Sequence, residues 1–246
     1  MIRWIKNPPF IFPVVIGSIL FLVFNLWLFG QYYRYILFVG LIILFIFFIL
    51  IFIIFLDNKL KKYWPIFLQL ILFVLMAYFF TFFISRIREH LIFSVVVTFL
   101  FWILLENLRR FFYQPRLYRF EFFRNLTPWL NFVIGFCGFS ILSGLTLLYR
   151  IPQLFLLPFV FLLSFWLYYF FIYLERLAPE NELNLTIPEY DWQSILVFCL
   201  AISEIYIVLN FLPTTFHLNG LIEIAFLNLI YYLWKNHQKK YSSPTI

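Results

Sequence analysis

From Tyr35 to Leu56 the chain reads YILFVGLIILFIFFILIFIIFL, without a single charged residue. About 20 consecutive apolar residues are what an α-helix needs to cross a ~30 Å hydrocarbon layer, so this stretch is a membrane span. Seven further apolar runs of similar character lie near 10–29, 64–85, 90–106, 129–149, 152–174, 192–212 and 216–234. The run at 90–106 is short and ends in polar residues, which makes it the weakest of the eight. The expected fold is an all-α polytopic integral membrane bundle of about eight helices, a single transmembrane domain over residues 1–246.

Composition closes off the soluble alternative. The chain is 65% hydrophobic and 12% charged, against about half and a quarter in ordinary globular domains. So little charge cannot cover a water-facing surface. Phenylalanine reaches 38 residues while glycine numbers 7, so the helices pack mainly through bulky rings and aliphatics rather than the small residues common in membrane interfaces. The Phe, Ile, Lys, Tyr and Asn bias is that of an AT-rich genome, and the expected location is a bacterial inner membrane. Arg3 and Lys6 precede the first run with no small-residue cleavage site after it, the pattern of an uncleaved signal anchor.

Lysines and arginines in the connections set direction. With the N-terminus in the cytoplasm, one side carries Arg3, Lys6, Lys59, Lys61, Lys62, the arginines from Arg109 to Arg124, Arg176, Lys235, Lys239 and Lys240. The other side carries only Arg34, Arg86, Arg88 and Arg150. Both termini are therefore expected inside. Residues 107–128 then form a cytoplasmic loop in which Arg109, Arg110, Arg116, Arg119 and Arg124 alternate with aromatics. Such a pattern suits the lipid interface, with rings at headgroup depth and arginines on anionic lipid, rather than nucleic acid. The remaining long connection, 175–191, is acidic and holds two prolines, as a solvated cytoplasmic loop would. Asn-x-Thr triplets at Asn125 and Asn184 fall on the cytoplasmic side and are read as chance.

The two halves echo one another. Tyr33-Arg34 and Tyr149-Arg150 follow the first span of each half, Trp64 and Trp192 open the third, and His90 and His217 open the fourth. An internal repeat is a common transporter plan.

Ionisable residues inside a span are costly and are functional candidates by default. Two acids qualify, Glu204 and Glu223. At ~1.5 Å per residue Glu204 lies ~18 Å above Trp192, and Glu223 lies ~10 Å below Phe216 on the antiparallel neighbour. The expectation is a Glu pair in the outer half of the last two helices, able to bind a proton, a cation or a ligand amine. Tyr206, Asn210, His217 and Asn228 belong to the same two helices, and Asn25 of the first span should reach similar depth. Arg34, Arg86, Arg88 and Arg150 form the outer rim, as snorkelling anchors or as phosphate holders. Ser140 and Gly144 make a small-xxx-small pattern, a possible contact for a homo-oligomer.

Other chemistry has no footing. No lysine lies deep in a span, there is no phosphate-cradling glycine loop, and three scattered histidines give no metal site. No cofactor is expected. Cys137 and Cys199 fall in apolar runs, which argues against a disulfide framework. Glu106-x-x-Arg109-Arg110 resembles half of the Glu-Glu-x-x-x-Arg motif of the prenyl-protein-processing intramembrane proteases. Leu105 stands where that family has its first Glu, and the family's histidine-bearing helices are missing, so no proteolytic function is carried over. The sequence reading is a multi-pass membrane protein acting as a small carrier, with a scaffold or accessory subunit, or a lipid-modifying enzyme, as the alternatives. An enzyme is the less favoured of these.

Overall fold

Deprived of water, a chain this apolar satisfies its backbone internally, and helices do so within each segment. The computed structural model describes residues 11–25, 39–46, 48–49, 60–113, 120–177 and 192–242, and among them there is no strand. The helices are α1 (Ile11–Asn25), α2 (39–46), α3 (Leu60–Thr81), α4 (Ile87–Tyr113), α5 (Phe120–Tyr149), α6 (Gln153–Leu177), α7 (Trp192–Phe211) and α8 (Phe216–Ser242). Six of them, α3 to α8, are long and apolar enough to cross a membrane, over windows such as Pro128–Tyr149 and Trp192–Phe211. α1 is apolar but shorter, and most of the 34–56 run lies outside the described residues.

The fourth span is more substantial than its sequence implied, because α4 begins at Ile87 and its crossing window runs to Arg110. The third is shorter than expected. α3 ends at Thr81, and the chain unwinds through tighter bonds from Phe82 to the Phe79 carbonyl and from Ile84 to the Thr81 carbonyl. The basic connection is largely helical, since α4 continues to Tyr113 and α5 starts at Phe120. Arg, Leu and Phe are compatible with a helix, and residues 114–119 between the two lie outside the described residues. Residues 178–191 of the acidic connection lie outside the described residues.

The chain divides into two compact units, Met1–Leu126 and Thr127–Ile246. In the first, α4 packs along α1 and also touches α3. Ile16, Leu20, Val23 and Phe24 recur at helical spacing on the buried side of α1. Phe73 of α3 stacks on Phe101 of α4 at 6.2 Å, and Phe24 on Tyr78 at 6.4 Å.

In the second unit α7 packs between α6 and α8. Tyr168 fills the middle, 4.4 Å from Phe198 and 5.6 Å from Trp234 between ring centres. α5 joins through its glycines. Ile224 of α8 closes on Gly135, and Leu163 of α6 closes on Gly138. On α8, Gly220 lies directly against Ser140, where an added Cβ would come within 2.7 Å of the Ser140 backbone nitrogen. The first and fourth helices of each unit thus meet at a glycine, since Gly17 of α1 faces Thr98 of α4. Outward, Leu154, Phe155, Val197, Phe211 and Leu233 are among many large exposed apolar side chains, as a lipid-facing surface requires.

Candidate functional site

Polar side chains in the second unit collect on the inner faces of α5, α7 and α8, starting at the turn between α7 and α8. There the Thr214 hydroxyl bonds the Asn219 side-chain oxygen. Asn219 is fully buried and donates through Nδ2 to the Leu209 carbonyl at 3.3 Å, capping the end of α7, and to Asn210 Oδ1 at 3.5 Å. Asn210 in turn donates to the Tyr206 carbonyl at 2.9 Å. One turn further in, the buried Tyr206 hydroxyl crosses to α5, where it lies 2.9 Å from Thr146 Oγ1 and 3.1 Å from the Leu142 carbonyl. Every polar group so far has a partner.

Beyond Tyr206 the pattern changes. Ser143 Oγ and Ser140 Oγ on α5 are buried without a hydrogen-bond partner. Glu223 of α8, one turn past Gly220, is 0% exposed, and neither of its carboxyl oxygens is bonded. It lies within electrostatic reach of Tyr206. A buried carboxyl without hydrogen bonds carries a desolvation penalty that packing does not return, which native structures tolerate mainly where the group has a task.

The expected Glu pair is not assembled. Glu204 is exposed on the outer face of α7 in line with Leu200 and Val208, while Tyr206 and Asn210 occupy the buried face. Rise along the axis placed both acids at one depth, but at 100° per residue Glu204 and Tyr206 point to nearly opposite sides. His217 is half-buried beside Phe216 at the head of α8, and Asn228 turns back onto its own helix, donating to the Ile224 carbonyl at 2.8 Å. Asn25 belongs to the first unit, where Nδ2 donates to the Phe21 carbonyl at 2.8 Å.

Among the arginines, Arg109 and Arg110 converge on Glu106. Arg109 makes a two-pronged contact at 2.8 Å through Nε and Nη2, and Arg110 Nε approaches at 2.7 Å. Glu106 and Arg109 are 10% and 13% exposed, so this is a partly buried structural cluster with one positive charge in excess. Arg86 pairs with Glu89 at 3.1 Å at the surface. Arg88 and Arg150 are exposed. Arg34, Arg116 and Arg119 lie outside the described residues, as does the Arg124 side chain.

Ser140 and Gly144 are both buried, with Ser140 against Gly220, so their face of α5 is occupied within the unit. Ser143 and Thr146 are site residues that the sequence alone does not single out. Their signal was present, since Ser140 and Ser143 are spaced to share a helix face, but it had no link to α7 or α8 until the helices were packed. Among the described residues no group of His, Cys, Asp and Glu is arranged to hold a metal ion. No family model, curated protein or solved structure matches the chain.

Proposed function

We propose that this membrane-spanning helical protein is a small carrier in which Glu223 alone, not a Glu204–Glu223 pair, binds the proton or cation that moves. The supporting observation is the fully buried, unbonded carboxyl of Glu223 at the inner end of a polar lining that starts at the α7–α8 turn. A carboxyl in a low-dielectric interior exchanges a proton or holds a small cation far more tightly than it tolerates bare charge. Tyr206, Asn210 and Asn219 keep the stretch between the turn and Glu223 polar, while Ser140 and Ser143 are hydroxyls left for a bound ion or its water. The carrier sits in a cytoplasmic membrane with both termini inside, and its basic segment rests on anionic lipid.

Glu223→Gln and Glu204→Gln separate the roles. The melting point of the purified wild type is expected to respond to pH or to one of Li⁺, Na⁺ and K⁺, because a ligand bound only by the native state raises stability by mass action. Glu223→Gln should abolish that response while melting no lower than wild type. Glu204→Gln should retain it. A wild type indifferent to pH and to all three cations, or a Glu223→Gln protein that merely melts lower, would assign the carboxyl to structure.

A further inference from the structure

The first unit contains a second set of unbonded polar atoms, in the seam where α1 packs along α4. Several other hydroxyls among the described residues satisfy themselves on their own helix. Ser18 bonds the Val14 carbonyl at 3.0 Å, Ser164 the Val160 carbonyl at 2.8 Å and Ser203 the Cys199 carbonyl at 2.8 Å. That back-bond four residues down is the ordinary resting place of a hydroxyl in an apolar helix. Ser94 and Thr98 do not take it. Both hydroxyls are buried and without a partner, and Ser94 is wholly enclosed.

Their positions form a series. His90, Ser94 and Thr98 are spaced one turn apart and share a face of α4. At the end of this row Asn25 closes α1, 4% exposed, with its side-chain oxygen also unbonded. His90 is buried beside it and holds the helices together, Nε2 donating to the Phe24 carbonyl at 3.0 Å. The row starts next to the exposed Arg86 and Glu89 and runs ~12 Å inward to Thr98. There the Thr98 methyl lies against Gly17, where an added Cβ would stand 3.6 Å away. Lipid offers nothing to these atoms, and leaving each dry carries a desolvation penalty.

We propose that the α1–α4 seam binds water: a short file enters at the His90 end and hydrogen-bonds Asn25 Oδ1, Ser94 Oγ and Thr98 Oγ1. Water has the required chemistry, since it both donates and accepts and is small enough for a seam between packed helices. The seam has no carboxyl among Asn25, His90, Ser94 and Thr98, so it takes neutral water where the second unit presents Glu223. This inference is independent of the role of Glu223.

Two measurements on the full chain in phospholipid nanodiscs test it. Ser94→Ala and Thr98→Val remove hydroxyls while keeping shape. If water bonds them, each variant should melt roughly 2–4 °C lower, and Thr98→Ser, which keeps the hydroxyl but loses the methyl against Gly17, should melt above Thr98→Val. An unchanged or higher melting point for Ser94→Ala and Thr98→Val means the hydroxyls were dry, and the proposal falls. In a chain carrying Cys137→Ala and Cys199→Ala, Ser94→Cys and Thr98→Cys should react with a small cationic methanethiosulfonate at least ~10-fold faster than Phe99→Cys, whose side chain faces outward, because only a hydrated thiol ionises. Equal rates at the three positions would overturn it.

Discussion

Arg150 shows how a single backbone angle constrains a residue in this protein. It ends α5 with φ of 55°, in the left-handed region, and the Ile151 amide reaches back to the Leu145 carbonyl at 3.2 Å to close the helix. That position normally belongs to glycine, because a Cβ there costs about 1–2 kcal/mol. Arg150→Gly should therefore raise stability by about 0.5–1 kcal/mol, after allowing for the greater freedom of an unfolded glycine. The check is the melting point in lipid. A fall would mean that the guanidinium contributes more as an interfacial anchor than the backbone strain removes. Glu223 is the opposite case, where the backbone is ordinary and the side chain carries the penalty, so Glu223→Gln tests ion binding where Arg150→Gly tests only stability.

Helix pairs depend on where a glycine lets two backbones approach. An added Cβ at Gly220 would meet backbone atoms of α5, namely the Ser140 nitrogen at 2.7 Å and the Phe136 carbonyl oxygen at 2.9 Å. At Gly135 it would meet only the side chains of Ile224 and Leu167, which can rotate. Gly220→Ala should consequently cost about 1–3 kcal/mol of overpacking strain, and Gly135→Ala clearly less. Thermal unfolding of the two variants side by side decides this, and equal losses would show that α5 and α8 separate freely. Displacing α5 from α8 also shifts Ser140 and Tyr206's partner Thr146 relative to Glu223, so Gly220→Ala should weaken any ion response of the wild type as well.

At the scale of the whole molecule, two four-helix units follow each other along the chain, each joining its first helix to its fourth at a glycine. The sequence echo between the halves, with His90 and His217 at the head of the fourth helices, is in keeping with a duplication. The eight-span reading of the sequence and the basic bias of the connections predict both termini in the cytoplasm. A fluorescent reporter fused to the C-terminus should therefore mature in the cytoplasm, and alkaline phosphatase fused there should be inactive. An active phosphatase fusion would put the C-terminus outside, through an odd number of crossings or an inverted orientation, and would overturn this topology.

Hydrophobic length and charge are properties of a segment by itself, which is why the spans were legible in the sequence. The crossing windows Trp192–Phe211 and Phe216–Trp234 coincide with the runs read from composition to within a residue. Axial depth follows from sequence position alone, because the rise per residue is fixed. Azimuth was not: which way a helix turns depends on what packs against it, and so Glu204 faces outward while Glu223 is enclosed. Ser140, Ser143 and Thr146 share one helix, but Tyr206 is 60 residues from Thr146 and meets α5 only once α5 has docked through its glycines. The chain by itself determined that it crosses a membrane and which residues are expensive there. Tertiary packing decided which of those residues are left without partners, because a side chain's partners are set by contacts between helices and not by its position along one.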